Sequence, residues 1–532
     1  MTEPRMSRRQ RIVHRRMVIR GDLLLTSPTH LGNGDADGPT DMALLRDGYD
    51  PNQILLTGAS IAGALRSYLR SYEQGLFVEE PAQESWQLKG LAELLFGGRK
   101  ADDEGYQSAL IVNDALAVPL TYELRDGVQI DGKTRTPEDK TKYDLELIAA
   151  GTIFPLLLEL AFPYRVDLQG ARVSDGEQQL DEQQLLNALA IALRGLASGE
   201  ITLGMKKQRG FGRCRVDQWQ VWDFDLTNQH KLLAWLALDP TTATSSVAHW
   251  VGSDITQLLG QTVVLPADQR KYVTLTATFA LTGSLLIRSG HDQAVLGPDV
   301  RHLHAHQAGS NTSSPVLAGT SLAGVLRHRT ERIANTLVAG SGTAVTSHMF
   351  GRMGASQRKT VDAGQCSRLI VHETEIIDAT TDLIQNRVSI DRFTGGAYDG
   401  ALFNAQPVFA KPTTRVTIRL DLFAPDKPVT PQTLHDPLTH DERWEAEQAL
   451  MLLLLKDLWT GDLPVGGESS IGRGRLRGID ARFTRGETVI AAFADDGTRV
   501  RLIQGDQAAL NSMVAVLPTT LAKLKETTNV AA

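Results

Sequence analysis

The chain has 532 residues, 42% hydrophobic and 22% charged, with a formal charge of −7, a composition that excludes disordered and fibrous classes. No run approaches the roughly 18 uninterrupted apolar residues of a membrane span; the best candidate, Met451-Leu-Leu-Leu-Leu-Lys456, is cut short by charge. Two cysteines, Cys214 and Cys366, exclude a disulfide framework and a four-thiolate zinc site, so a reducing, cytoplasmic location is expected.

At about 150 residues per domain the length predicts three or four domains, or two large ones. The first twenty residues hold seven arginines and one acid and are expected to form a basic arm over 1–20. A strand-like run, Val18-Ile19 and Leu23-Leu24-Leu25, stands where a targeting cleavage site would have to be, so no leader is read. A strand is predicted over Met17–Thr26, then a long polar loop, a turn, and an amphipathic helix over Ser60–Glu73. Further strands are expected at Ala109–Val112 and Gly151–Leu160, a helix at Asp181–Ser198, and a closing Gly-rich loop. The spacing of Leu232, Leu233, Trp235 and Leu236 suggests a linking helix.

The same order then recurs: a strand at Tyr272–Thr282, a helix at Ser321–Ala334, strands at Leu369–Glu373 and Arg415–Leu422, a helix at Asp441–Trp459, and a helical tail from about 505. Sequence identity supports the recurrence. Leu56-Thr-Gly-Ala-Ser-Ile-Ala-Gly-Ala-Leu-Arg66 matches Leu317-Ala-Gly-Thr-Ser-Leu-Ala-Gly-Val-Leu-Arg327, at an offset of 261. Leu95-Phe-Gly97 returns as Met349-Phe-Gly351, Gly127-Val-Gln-Ile-Asp131 as Arg387-Val-Ser-Ile-Asp391, and Gly210-Phe-Gly212 as Gly472-Arg-Gly474, at offsets of 254, 260 and 262. Four matches in the same order, at offsets between 254 and 262, define a duplication. The expected division is a first module over 21–225, a linker with a helix over 226–269, a second module over 270–485, and a helical extension over 486–532. Strands with helices on one face make each module an α+β fold of ferredoxin-like type.

The repeated elements permit phosphate chemistry. Ser60 and Ser321 begin their helices, where a hydroxyl caps free N–H groups and the helix dipole favours an anion. Arg66 and Arg327 lie six residues on, placed to meet a second phosphate or an acid. Gly204-Met-Lys-Lys-Gln-Arg-Gly-Phe-Gly-Arg-Cys-Arg215 sets Lys206, Lys207, Arg209 and Arg213 among glycines, and Gly466-Gly-Glu-Ser-Ser-Ile-Gly-Arg-Gly-Arg-Leu-Arg477 does so with Arg473 and Arg475. Neither is a Walker loop; both read as polyphosphate tracks or as hairpins with solvated charges. The loop after the first strand holds Asp35, Asp37, Asp41 and Asp47, able to hold a divalent cation or simply solvated, without an EF-hand's ligand ladder. Counted back without gaps from Gly58 and Gly319, Asp41 aligns with His302. His302, His304 and His306 alternate onto one side of an extended segment, which admits a zinc site or a histidine base.

These residues resemble the RAMP superfamily of CRISPR systems, specifically the backbone subunits of type III effector complexes, the Cas seven group. The Gly-Ser-helix-Arg element, the Phe-Gly element, Arg387-Val-Ser-Ile-Asp-Arg-Phe-Thr-Gly-Gly-Ala397 and the Gly-rich loop occur in family order. The first module has Gly132 where the second has Arg392. The resemblance implies two fused RRM-like modules whose grooves track guide RNA through the cations named above with Arg387 and Arg392. It also implies thumb hairpins, at Ile130–Glu146 and Ile390–Phe403, that wedge into the guide–target duplex.

In relatives the loop after the first strand carries an aspartate six residues before another, needed to cut target RNA; Asp41, six before Asp47, matches. The implied reaction is attack of a ribose 2′-hydroxyl on the adjacent phosphodiester, assisted by a divalent metal ion (Mg or Mn) held at Asp41. With His302 at the matched position and Asp299 three residues earlier, the second module is expected not to cut, leaving one cleavage site per chain. The fusion resembles subtype III-D, with guide crRNA, complementary target RNA, other RAMP subunits and a small subunit as implied partners and no membrane. A non-catalytic RNA-binding scaffold is the second reading. A guide-precursor processing endoribonuclease using the histidines is the third.

Overall fold

A computed structural model describes residues 12–34, 41–75, 90–97, 107–132, 134, 136–163, 175–239, 249–260, 264–289, 297–310, 312–352, 356–357, 360–361, 364–424, 439–496 and 500–530. The first module opens with β1 (Val13–Leu25), α1 (Gly58–Gln74), α2 (Leu91–Phe96) and β2 (Leu110–Val112). A hairpin, β3 (Tyr122–Gly127) and β4 (Tyr143–Ile148), interrupts the run before β5 (Ile153–Pro163), α3 (Asp175–Ala197) and β6 (Cys214–Asp225). The strands pair antiparallel in the order β2-β5-β1-β6, which is the βαββαβ arrangement of a ferredoxin-like sheet. After α4 (Gln229–Leu236), β7 (Trp250–Gly252) adds to the β6 edge.

The second module repeats this with β8 (Tyr272–Thr282), β9 (Val300–Arg301), α5 (Gly319–Leu337), α6 (Gly342–Phe350) and β10 (Leu369–Val371). Its hairpin is β11 (Gln385–Ile390) with β12 (Ala397–Gln406), followed by β13 (Arg415–Phe423), α7 (His440–Trp459) and β14 (Arg475–Arg485). The core order is β10-β13-β8-β14, again antiparallel. β15 (Thr488–Asp495) and β16 (Val500–Gly505) continue this sheet beyond β14, and α8 (Gln507–Ala515) and α9 (Leu517–Val530) follow. The chain is therefore two fused RRM-like α+β modules, each with an inserted hairpin.

Helical periodicity explains the packing. α1 buries Ile61, Leu65, Leu69 and Tyr72, and α5 buries Leu322, Leu326, Thr330 and Ala334, each at three- or four-residue spacing along one stripe. β8 alternates partly exposed threonines with buried Val273, Leu275, Ala277 and Phe279, the two-residue period of a sheet with one face on the core. The first sheet is covered on its second face as well, where Val18, Trp222 and Phe224 meet Ala234 of α4.

Two expectations change here. The basic arm over 1–20 gives way to β1 at Val13: Arg15 grips Asp223 at 2.8 and 2.9 Å and Arg16 pairs with Glu159, so cross-strand ion pairs fix these arginines; residues 1–11 lie outside the described residues. Ser60 is not the cap of its helix. The helix starts at Gly58 and is capped by Thr57, whose Oγ1 accepts from the Ser60 N–H at 3.2 Å, while the second helix follows Ala318 with no side-chain cap.

Candidate functional site

Each hairpin rises from its sheet beside the loop that follows the first strand, and this junction positions the acids and cations read from the sequence. In the first module Thr29 bridges to Ile148 and Met42 to Leu145 of β4. His30 is buried, and its Nδ1–H donates to the Glu146 carbonyl at 2.7 Å. Glu146 also binds Arg46 at 2.5 Å, and Arg46 lies over the Tyr122 ring. These contacts tie residues 41–46 to the hairpin base.

Asp41 stands at this junction, exposed, its Oδ2 accepting the Asp144 N–H at 2.9 Å. Among the described residues its Oδ1 has no partner. Asp47 plays a local role: its Oδ2 accepts the Asp50 N–H at 3.0 Å and closes a turn. Asp35 and Asp37 lie outside the described residues. Among the described residues no group of three or more His, Cys, Asp and Glu is arranged to hold a metal ion.

The Gly-rich loops have matching backbones and different side-chain fates. Lys206 and Glu468 both take left-handed φ, 55° and 58°, ahead of one-turn 3-10 helices. Gly212 and Gly474 share φ of 76°, and a Cβ would sit 1.8 Å from the Leu203 or the Val465 carbonyl oxygen; only glycine fits. The cations of the first loop are largely taken by protein. Lys206 hydrogen-bonds the Tyr143 hydroxyl with its Nζ 4.0 Å from the ring centroid. Arg209 crosses into the second module and donates to the Phe350 carbonyl at 3.2 Å and to Ser367 at 3.4 Å; burial, with Arg327 nearby, pulls its pKa down to about 10, so it stays charged at neutral pH.

Arg213 donates to Nδ1 of His372 at 3.2 Å, and His372 Nε2 donates to Asp421 at 2.5 Å. Burial first, with Arg213 and Arg419 adding to it, holds His372 below its usual pKa. In Asp421 burial is outweighed by the His372 bond, Arg419 and Thr274, leaving it at about 2. Lys207 has no partner among the described residues.

In the second loop Arg473 is buried against Glu468 at 3.0 Å and Gln385 at 2.7 Å, whereas Arg475 is exposed. Arg387 pairs with the same Glu468 at 2.9 Å. Arg66 faces Glu93 at 3.9 Å, the acid partner read as one of its options, while Arg327 donates to the Gly351 carbonyl at 2.9 Å. At the α1 terminus, the Asp114 carboxylate already accepts the Gly58 N–H at 2.6 Å. At α5 the equivalent space holds the first module's loop, since a Cβ on Gly319 would lie 2.2 Å from the Arg209 carbonyl oxygen. Ser60 is exposed and Ser321 half-buried.

The sequence reading missed the junction between modules. Arg125 on β3 is buried between Glu373, with one contact at 2.9 Å, and Glu123 at 2.9 Å, over the Phe211 ring. Both carboxylates raise its pKa against the effect of burial. Its degenerate first-module motif gave no signal for this role.

The histidine trio does not converge. His302 is buried, its Nδ1 accepts the Ile287 N–H at 3.2 Å and its Nε2–H donates to the Val316 carbonyl at 3.0 Å; burial pushes its pKa down to about 4. With both nitrogens engaged it is a neutral core group, neither a ligand nor a base. His304 donates to the His302 carbonyl and His306 lies beside Glu123.

The second hairpin is anchored at its base by Gln385, Arg387 and Asn404 and exposed toward its tip. Ile390, Phe393, Tyr398 and Leu402 are 62%, 86%, 56% and 70% exposed, and the Arg392 guanidinium lies 5.1 Å from the Phe393 ring centroid. A large apolar surface with an aromatic tip and a cation, held off the protein, suits base stacking.

No curated protein matches the chain. The family model described as the RAMP superfamily matches residues 22–215 and 278–477, one match on each of the two modules just described, and the chain belongs to the RAMP superfamily of CRISPR-associated RNA-binding proteins.

Proposed function

We propose that this chain is a Cas seven-type backbone subunit of a cytoplasmic type III CRISPR effector complex, of the fused subtype III-D arrangement, that binds guide crRNA and cuts complementary target RNA beside its first hairpin. The observation that carries the cutting is Asp41: exposed, fixed through one oxygen to the hairpin base, and with the other oxygen open. An open carboxylate at the foot of a wedge that splays a duplex meets the ribose of the displaced nucleotide. The 2′-hydroxyl oxygen bonds to the adjacent phosphorus, its proton passes to the carboxylate, and the P–O5′ bond breaks as the 5′-oxygen takes a proton from solvent. The products are a cyclic phosphate and a 5′-hydroxyl.

A magnesium or manganese ion belongs to this proposal as a companion of the RNA phosphates, because one carboxylate with phosphate oxygens and water suffices for such an ion; no step above runs through it. Lys207, Arg392 and Arg475 are the named cations with most freedom to meet RNA phosphates. Neighbouring RAMP subunits and a small subunit complete the proposed assembly.

In the reconstituted complex with guide and labelled target, Asp41→Ala lowers cleavage at one position by ~10²–10⁴-fold while target binding persists, read as a missing band on a gel. The second reading is a non-catalytic RNA-binding scaffold, and an unchanged band pattern in Asp41→Ala selects it.

A further inference from the structure

The pairing of β9 with β12 changes which residue of the second module corresponds to Asp41. In the first module Met42 bridges in parallel to Leu145 of the hairpin, and in the second Val300 pairs in parallel with Ala405. Leu145 lies opposite Arg125, and Ala405 opposite Gln385, two cross-strand pairs at the same offset of 260 as the hairpin motif. Met42 therefore corresponds to Val300, and Asp41 to Asp299. Backbone bonds on either side agree. Asn33 N–H binds the Ala43 carbonyl as Ser289 N–H binds that of Arg301, and Leu45 N–H binds the Leu31 carbonyl as Leu303 N–H binds that of Ile287. His302 falls on the position of Leu44, which is why it is buried.

The side chains repeat the backbone. Asp299 Oδ2 accepts the Asn404 N–H at 2.8 Å, and Asp41 Oδ2 accepts the Asp144 N–H at 2.9 Å. Both aspartates are exposed, and among the described residues Oδ1 of each has no partner. Each carboxylate stands at the foot of its own hairpin. The hairpin pair beneath them differs: Asp126 opposite Asp144 in the first module, Asn386 opposite Asn404 in the second. The second carboxylate thus sits among amides, where the first sits among acids.

We propose that Asp299 serves a second cleavage position, so that the chain cuts target RNA at two places, one per module. This rests on the reading of Asp41 given above and uses the same atom balance: the ribose 2′-oxygen bonds to phosphorus, its proton moves to the Asp299 carboxylate, and the 5′-oxygen leaves protonated by solvent.

The test maps cuts in the intact reconstituted complex with guide RNA, end-labelled complementary RNA and magnesium or manganese, comparing wild type with Asp41→Ala, Asp299→Ala, Asp299→Asn and the Asp41→Ala, Asp299→Ala double variant. Asp299→Asn keeps an acceptor for the Asn404 N–H, which separates loss of the carboxylate from loss of the local fold, and target binding is measured alongside. Expected is loss of one product by at least ~10²-fold in both Asp299 variants, loss of a different product in Asp41→Ala, and loss of both in the double variant. If Asp41→Ala removes its product and both Asp299 variants keep every band, the second site is overturned and the first stands. If no single variant removes a band, the carboxylate chemistry fails at both sites.

Discussion

Glu373→Gln removes one negative charge from the junction between the modules and leaves Arg125 buried. The Arg125 side chain is 6% exposed, as is that of Glu373, and Glu123 at 9% is its other carboxylate. Breaking a buried pair by deleting one partner costs about 3–5 kcal/mol, because the remaining charge stays desolvated. Glu123 at 2.9 Å and the Phe211 ring retain part of the stabilisation, which places the loss near the bottom of that range, at about 3 kcal/mol.

For a module of this size about 3 kcal/mol lowers Tm by roughly 6–12 °C. The assay is thermal unfolding of the intact chain by circular dichroism, with limited proteolysis of the linker as a second reading of module separation. Arg477→Met is the control. Its pair with Asp495 has the arginine 59% exposed, so its loss gives no measurable shift. A Glu373→Gln Tm within about 2 °C of wild type refutes the argument that this pair holds the modules together.

Three further outcomes follow from the same geometry. Asp41→Ala and the Asp299 variants each delete their own product band, as set out above. Burial holds the folded pKa of His302 at about 4, so its contribution to stability is complete above about pH 6.5 and is lost as pH falls toward 4; by pH 5 the loss is about 2 kcal/mol, and in His302→Gln the unfolding free energy from urea titration falls less between pH 7 and 5, by about that amount. Steeper loss in His302→Gln than in wild type overturns the assignment of a neutral, buried ring. Phe393→Ala leaves Tm unchanged, because the ring is 86% exposed, and weakens RNA binding by ~1–3 kcal/mol if it stacks on a base; a lowered Tm with unchanged binding makes it a packing residue instead.

The duplication, three of the four core strands of each sheet and both helix pairs are legible because apolar periodicity and repeated glycine motifs survive in sequence, whereas the fourth strands, β6 and β14, directly follow the Gly-rich loops and are not read from it. What the sequence hid was register. The segments between Asp41 and Gly58 and between Asp299 and Gly319 differ in length by three residues, so counting back without gaps set His302 against Asp41. Hydrogen bonds to the hairpin, which do not depend on loop length, restore Asp299. The caps are hidden for a different reason: both helices start at the shared glycine, but the residues before it, Thr57 and Ala318, differ in chemistry, so the repeated serines do not mark the cap position. The second-module partners of Arg125, Arg209 and Arg213 lie more than a hundred residues away, and no local pattern encodes such contacts.

The two Gly-rich loops show how one backbone serves different ends. Both need left-handed residues at equivalent places and a glycine pressed against a carbonyl, so the peptide path is fixed by sterics in each copy. Within that path, position 209 is an arginine directed into the second module, and its counterpart Ile471 is 58% exposed. Arg213 is tied to His372, and its counterpart Arg475 is exposed. The difference follows from what each loop faces: the first meets carbonyls, a serine and the His372–Asp421 pair of the adjoining module, where a cation gains hydrogen bonds that offset its burial. A cationic loop in a sequence is therefore ambiguous between RNA contact and protein contact. Here Arg209 and Arg213 of the first loop are bound to the second module, while Arg475 and Arg392 of the second module are exposed, as the proposed RNA contact requires of them.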